Sequence, residues 1–220
     1  MAQVTTPEAK KAHTSPLIRL FVRETLETVG LAVFLFLLLR VSIQNFRVEG
    51  TSMEPSVHAS EYVFVNRLAY LAMPWGRIAS VLPFVHAPSN AVAYPLGFPK
   101  RGDVVIFHAP GGPARDFIKR VIGLPGDTVE VRQGAVYVNG KPLDEPYKNR
   151  DSRTVAPIVV PAGNIFVMGD NRPFSNDSRA WGPVPISSMI GRVWVRYWPP
   201  KTAQFFTSVS YASNASGAKP

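Results

Sequence analysis

The sequence predicts a mainly β protein in which one N-terminal transmembrane helix precedes an all-β domain. Three observations carry that prediction: a charge-free apolar core from Val29 to Leu39, a succession of short runs rich in β-branched and aromatic residues after it, and Gly, Pro, Asn and Asp between those runs. The 220 residues suffice for an anchor and one domain of ordinary size, so a single site is expected. The expected division is a cytoplasmic tail over 1–24, an anchor over 25–45, a β-rich domain over 46–200 and a disordered tail over 201–220.

About 20 residues cross a bilayer, so a span over 25–45 requires Glu27 and Arg40, near its ends, to snorkel to the interfaces. A cleaved signal peptide has the same length of apolar core and the same preceding basic residues. Arg40-Val41-Ser42-Ile43 offers no small-x-small site, however, so the reading is an uncleaved anchor. Lys10, Lys11, Arg19 and Arg23 precede the span, whereas Arg47 stands alone among Lys and Arg between Val41 and Asn66; the N-terminus is therefore expected to be cytoplasmic. Leu17–Val22 is also apolar and either lies in the interface or extends the helix inward.

The expected strands are Tyr62–Val65, Val104–Phe107, Phe117–Ile122, Thr128–Val131, Ala135–Val138, Ile165–Met168 and Arg192–Val195. Asn139-Gly140, between Val138 and Lys141, signals a hairpin with a type I′ turn. Residues 68–99 are apolar but irregular, with Trp75, Phe84, Tyr94, Phe98 and several prolines. They read equally as loops that touch lipid and as an insertion folded onto the sheet. Beyond Trp198-Pro199-Pro200 the Ser, Ala, Thr, Gly and Lys content predicts disorder.

A formal charge of +9 raises the question of nucleic acid, but Lys and Arg occur in scattered pairs such as Lys10-Lys11 and Lys119-Arg120 without aromatic interleaving, so no nucleic-acid partner is expected. The absence of cysteine excludes disulfides, thiolate catalysis and cysteine-ligated zinc.

Chemistry concentrates around one serine and one lysine. Ser52 lies in Gly50-Thr51-Ser52-Met53-Glu54-Pro55, where Pro55 restricts its predecessor and Gly50 permits close backbone approach or a positive φ. Such a turn presents a nucleophile, or it is an ordinary turn serine. A serine hydroxyl attacks only when a base takes its proton. His13 precedes the span, His58 follows Ser52 in a polar stretch, and His86 and His108 lie in or beside proline-containing loops; none has the setting of a triad base. On a strand, Lys119 shares a face with Phe117 and Val121, so desolvation favours its neutral amine. Its other reading is a snorkelling strand lysine. Gly169-Asp170-Asn171-Arg172 and Ser175-Asn176-Asp177-Ser178-Arg179 form a polar, turn-prone stretch enclosed by apolar runs. Asp103, Asp170 and Asp177 are candidate ligands for a hard cation, but no ligand spacing is present and no metal is expected.

The Ser52 segment, Arg101–Phe107, Asp116–Asp127 with Lys119, and Gly169–Arg172 leading to Ser175, Asp177-Ser178-Arg179 and Trp181-Gly182 resemble, in order, the four blocks of bacterial type I signal peptidases over roughly residues 25 to 200. The resemblance implies a Ser-Lys endopeptidase of the bacterial inner membrane, with its domain on the extracytoplasmic side, that removes signal peptides from exported preproteins after small-x-small sites. Its partners are then those preproteins and the lipid bilayer, and no cofactor is expected. It makes Ser52 the nucleophile, Lys119 the general base, and Ser175 the serine that hydrogen-bonds the lysine amine. Arg120 with Asp170 and Asp177 with Arg179 become pairs that brace the site. Phe46, Val48, Met53, Ile106, Phe117 and Ile118 match positions lining shallow pockets for small residues, core packing being their other reading. Pro173-Phe174 and Ala180 depart from the usual residues between motif positions. For the oxyanion the Ser52 N–H is the first donor. Gly50 stands where some members carry a serine hydroxyl, and Thr51 is expected to point away on a strand-like segment. A Ser-Lys protease acting on itself or one precursor, and a non-catalytic tethered β-domain, stay open as alternatives.

Overall fold

The computed structural model describes residues 16–81, 84–85, 87–111, 115–149 and 151–207. Helix α1 runs Pro16–Ser42. Leu, Val and Phe dominate it, and Leu17, Phe21, Val29, Phe34, Phe36, Leu39 and Val41 are all exposed around its circumference. The stretch Leu17–Ser42, 26 residues with mean hydropathy 1.8, is long and apolar enough to cross a membrane. At about 1.5 Å per residue it reaches about 39 Å. Four of its polar side chains bond within the helix: Thr25 and Thr28 donate to the Phe21 and Glu24 carbonyls at 2.8 Å, and Arg23 pairs with Glu27 at 2.7 Å. The helix is thus longer at its start than the expected anchor, because Leu17–Val22 extends it. It also ends earlier, because residues 43–45 belong to a strand.

The remaining described chain is a separate β unit. Its strands are β1 Ile43–Arg47, β2 Tyr62–Asn66, β3 Val104–His108, β4 Asp116–Gly123, β5 Thr128–Arg132, β6 Ala135–Val138, β7 Lys141–Pro142, β8 Val155–Val159, β9 Asn164–Met168, β10 Val184–Pro185, β11 Met189–Trp198 and β12 Gln204–Phe205. One sheet has the order β1-β2-β11-β3-β4-β9-β10, with β12 on β11, and a smaller one the order β7-β6-β5-β8; the pairings are antiparallel. Every strand expected from composition forms. β1, which reads as the end of the anchor, and the edge strand β8, which carries Pro157 where no inner neighbour needs its N–H, are additions. Asn139 and Gly140 have φ of 53° and 76°, which a type I′ turn requires, and they pair Val138 with Lys141.

Three apolar clusters hold these layers. One gathers Val48, Met53, Val57, Val63, Val65, Val104, Ile106, Ile118 and Val193; a second lies around Val105, Phe107, Val121 and Val167; a third joins the small sheet through Ile122, Val129, Val136, Phe166 and Met168. β4 feeds all three, so its residues from Ile118 onward are buried, Lys119 and Arg120 included.

Within 68–99, Tyr70 and Tyr94 pack on the second cluster, and a short helix, α2 (Trp75–Ala79), is held by a bridge between Met73 and Ala93. Leu96 and Phe84 remain exposed. The C-terminal expectation requires a correction. Residues 204–205 form β12, Phe206 packs on the first cluster and its N–H donates to the Trp194 carbonyl at 2.8 Å. Aromatic side chains interrupt the polar composition there, and an unpaired stretch of β11 accepts them. Residues 208–220 lie outside the described chain.

Candidate active site

Ser52 follows β1 on a run of turns from Thr51 to Ser56, not on a strand. Gly50 enters this run at φ 79°, a conformation that costs residues with a Cβ. Met53 and Val57, both within the first cluster, pin the turn, and the Val57 N–H donates to the Met53 carbonyl at 3.0 Å. The hydroxyl is therefore carried on a segment whose neighbours are core.

β4 brings Lys119 to it. Lys119 Nζ lies 2.7 Å from Ser52 Oγ across 67 residues of sequence. The lysine is 3% exposed, and its amine lies 5.3 Å from the centre of the Phe117 ring. Burial pushes its pKa down to about 8; the Asp177 and Asp170 carboxylates oppose this and Arg179 assists. A lysine so placed is largely an ammonium at neutral pH but holds an appreciable fraction of free amine, which can accept the hydroxyl proton.

The polar loop after β9 closes the other side. Arg120 binds Asp170 with two bonds, 2.8 and 2.6 Å, and donates to the Gly102 carbonyl at 3.0 Å. Arg179 binds Asp177 with bonds of 2.8 Å each, and reaches Asp151 at 2.5 Å. Burial pushes the Asp177 carboxyl up, but Arg179 and the Gly169 N–H pull it further, so it lies below the usual carboxylate range. Both expected ion pairs are formed, and both are buried. Ser175 Oγ is buried as well, but no hydrogen bond joins it to the Lys119 amine, whose one bond goes to Ser52. Ser175 instead lies against Gly169: a Cβ added there would meet Ser175 Oγ at 2.3 Å and the Ser52 carbonyl oxygen at 2.4 Å.

Four residues without an assigned role in the sequence reading belong to the site. Gly169 leaves the space just described. Asn171 donates its N–H to the Ser52 carbonyl at 3.0 Å and its Nδ2 to the Thr51 carbonyl at 2.9 Å. Arg172 Nε donates to the Gly169 carbonyl at 2.9 Å, and its guanidinium forms an ion pair with Glu145. The first three lie within two residues of Asp170 in sequence, which is a signal. Glu145 has none, because only packing brings it to Arg172.

Of the expected pocket residues, Val48, Met53, Ile106 and Ile118 share the first cluster and Phe46 packs against it, whereas Phe117 faces the second. β alternation separates Phe117 from Ile118. His58 pairs loosely with Glu61 and His108 with Asp116, at 3.9 and 2.8 Å, and neither has a hydrogen bond to Ser52. Asp103 accepts from Tyr70 at 2.7 Å and from the Lys100 N–H at 2.9 Å, so the three candidate ligand carboxylates have separate partners.

The family described as signal peptidase, peptidase S26 matches residues 22–198. The chain belongs to that family. It is a serine endopeptidase. Signal peptidase I of Leptolyngbya laminosa is 34% identical over 203 residues, 88% of each chain. Signal peptidase I of Bacillus caldolyticus is 36% identical, over 73% of this chain and 82% of that one. Signal peptidase IB of Staphylococcus aureus is 33% identical over 76% and 84%. A crystal structure of a signal peptidase I from Enterococcus faecalis, 37% identical, covers 43% of this chain and 96% of that one with a TM-score of 0.39. The peptidase S26 match takes in most of α1, the Ser52 turn, β4 and the loop after β9, and it stops short of β12.

Proposed function

We propose that this chain is a membrane-anchored endopeptidase that removes N-terminal signal peptides from exported preproteins, with Ser52 as nucleophile and Lys119 as general base. The supporting observation is the 2.7 Å approach of a buried lysine amine to a serine hydroxyl. The free Lys119 amine takes the Ser52 proton as Oγ bonds to the scissile carbonyl carbon, and the carbonyl electron pair moves to oxygen, beside the Ser52 N–H. The ammonium then protonates the leaving amine as the C–N bond breaks. Water enters, Lys119 takes one of its protons, and the attacking oxygen displaces Ser52 Oγ, which recovers the proton. The oxyanion therefore forms where the turn, and not a side chain, supplies the first donor.

Phe46, Val48, Met53, Ile106 and Ile118 form the apolar wall near Ser52, with Phe117 beside the Lys119 amine. Packed side chains of this kind leave room only for small substrate groups, in keeping with cleavage after small-x-small sites. Ser175 is an accessory residue that fills the space beside Gly169. α1 supplies the anchor, and Lys10, Lys11, Arg19 and Arg23, all toward its N-terminal end, support a cytoplasmic N-terminus with the β domain on the extracytoplasmic face of a bacterial inner membrane.

The test incubates the detergent-solubilised chain with a panel of unrelated preproteins. Wild type is expected to cleave most of them after small-x-small sites, and Ser52→Ala and Lys119→Ala to cleave none. Cleavage by either variant at the wild-type rate removes that residue from the chemistry. Cleavage of one precursor alone favours a dedicated maturation protease.

A further inference from the structure

The geometry points to Asn171 as a positioning residue for the oxyanion: it fixes the plane of the Thr51–Ser52 peptide, whose N–H stabilises the developing charge. The inference rests on Ser52 as nucleophile. Among the described residues the cis peptides are Glu54–Pro55 and Trp198–Pro199, so the Thr51–Ser52 peptide is trans. In a planar trans unit the C=O and N–H point in opposite directions. Holding the Thr51 oxygen therefore aims the Ser52 N–H.

The Thr51 oxygen is held by Asn171 Nδ2 at 2.9 Å and by the Glu54 N–H at 3.2 Å, the second being the weaker bond of the turn itself. The next peptide is held from the same residue, because the Asn171 N–H donates to the Ser52 oxygen at 3.0 Å. Asn171 thus grips both carbonyls that flank the nucleophile, one through its side chain and one through its backbone. Its side chain is buried at 5% residue exposure, where an unpaired amide would be costly, so the grip is not exchanged for water.

A second element decides which way the Asn171 amide faces. Its Oδ1 accepts from Asn149 Nδ2 at 3.2 Å, which leaves Nδ2 to face Thr51. The Asn149 N–H meanwhile donates to the Asp170 carbonyl at 3.0 Å. The stretch preceding Asn149 is clamped to the same loop. Glu145 pairs with Arg172, and the Tyr147 ring lies 4.0 Å from the Arg120 guanidinium that binds Asp170. A segment outside all the recognised motif blocks therefore sets the register of the loop that orients the nucleophile's peptide.

The Asn171→Ala and the near-isosteric Asn171→Leu variants of the full chain separate this role from a merely structural one. Losing an aimed oxyanion donor lowers kcat by about 100-fold, with KM changed by less than about threefold because the interaction belongs to the transition state. The acid limb of the pH profile stays near the wild-type position, since Lys119 is untouched. Asn149→Ala, whose side chain is exposed and replaceable by water, lowers kcat by about fivefold. Wild-type kcat in a folded Asn171 variant overturns the proposal, and so does a loss accompanied by a displaced acid limb, which would mean that Asn171 acts through the base. Should Asn171→Ala and Asn171→Leu both fail to fold, Asn149→Ala decides by the same criteria. Failure of the underlying reading shows separately, as activity in Ser52→Ala.

Discussion

Glu145 and Arg172 form an ion pair whose side chains are 0% and 1% exposed, 27 residues apart in sequence, while the Arg172 Nε donates to the carbonyl of Gly169 at 2.9 Å. Lys148 adds a 2.8 Å contact to the same carboxylate. Glu145→Ala leaves the guanidinium buried without its anion, and the expected cost is about 3–5 kcal/mol of stability. Urea unfolding measures it. Glu145→Gln keeps part of the hydrogen bonding and should lose less; equal stability of Glu145→Ala and wild type would show that Arg172 finds another partner.

Lys119 titrates near 8, below the 10.5 of a free lysine, so activity should rise with pH along an acid limb centred near pH 8. Stability follows with the same sign. Between about 8 and 10.5 the unfolded chain keeps the lysine proton that the folded chain has released, so folding stability increases with pH in that window and is lower below it. Lys119→Met removes this burden and should be inactive yet more stable at pH 7, by on the order of 1–3 kcal/mol. A variant less stable than wild type at that pH would argue that the lysine is not desolvated.

Gly169→Ala inserts a methyl group 2.3 Å from Ser175 Oγ and 2.4 Å from the Ser52 carbonyl. The second contact is backbone and cannot rotate away, so the nucleophile's turn must move. A shift near 1 Å at such a place costs about 100-fold in rate. The measurement is kcat on a peptide substrate, with circular dichroism to show the fold retained. A rate within threefold of wild type would show that the turn yields without displacing Ser52 Oγ.

Gly50 has φ 79° and nothing within 4 Å of an added Cβ. Gly50→Ser therefore meets conformational strain and no clash, with an expected loss of about 1–2 kcal/mol. Thermal unfolding tests this. Thr51→Val should change kcat little, because the threonine contributes its carbonyl oxygen to the site; a drop of about 100-fold would assign its hydroxyl to the oxyanion.

The chain of apolar residues in α1 and the β-branched and aromatic runs of β2, β3, β4, β5, β6, β9 and β11 are legible as sequence because each depends on local composition and on the Gly, Pro, Asn and Asp that bound it. The Ser52 and Lys119 segments are likewise conspicuous, and the pairing of Arg120 with Asp170 and of Asp177 with Arg179 follows from the resemblance their motifs carry. Contacts across long separations are another matter. Ser52 and Lys119 meet over 67 residues, Glu145 and Arg172 over 27, and Asn171 and Thr51 over 120. Composition carries no trace of such distances, since they arise from the order in which antiparallel strands are laid side by side. Two short elements, β1 and β12, were hidden for a related reason: an edge strand takes its hydrogen bonds from a neighbouring strand, β2 for β1 and β11 for β12, so five residues after an apolar helix or two within a polar tail acquire their structure only when that neighbour is in place.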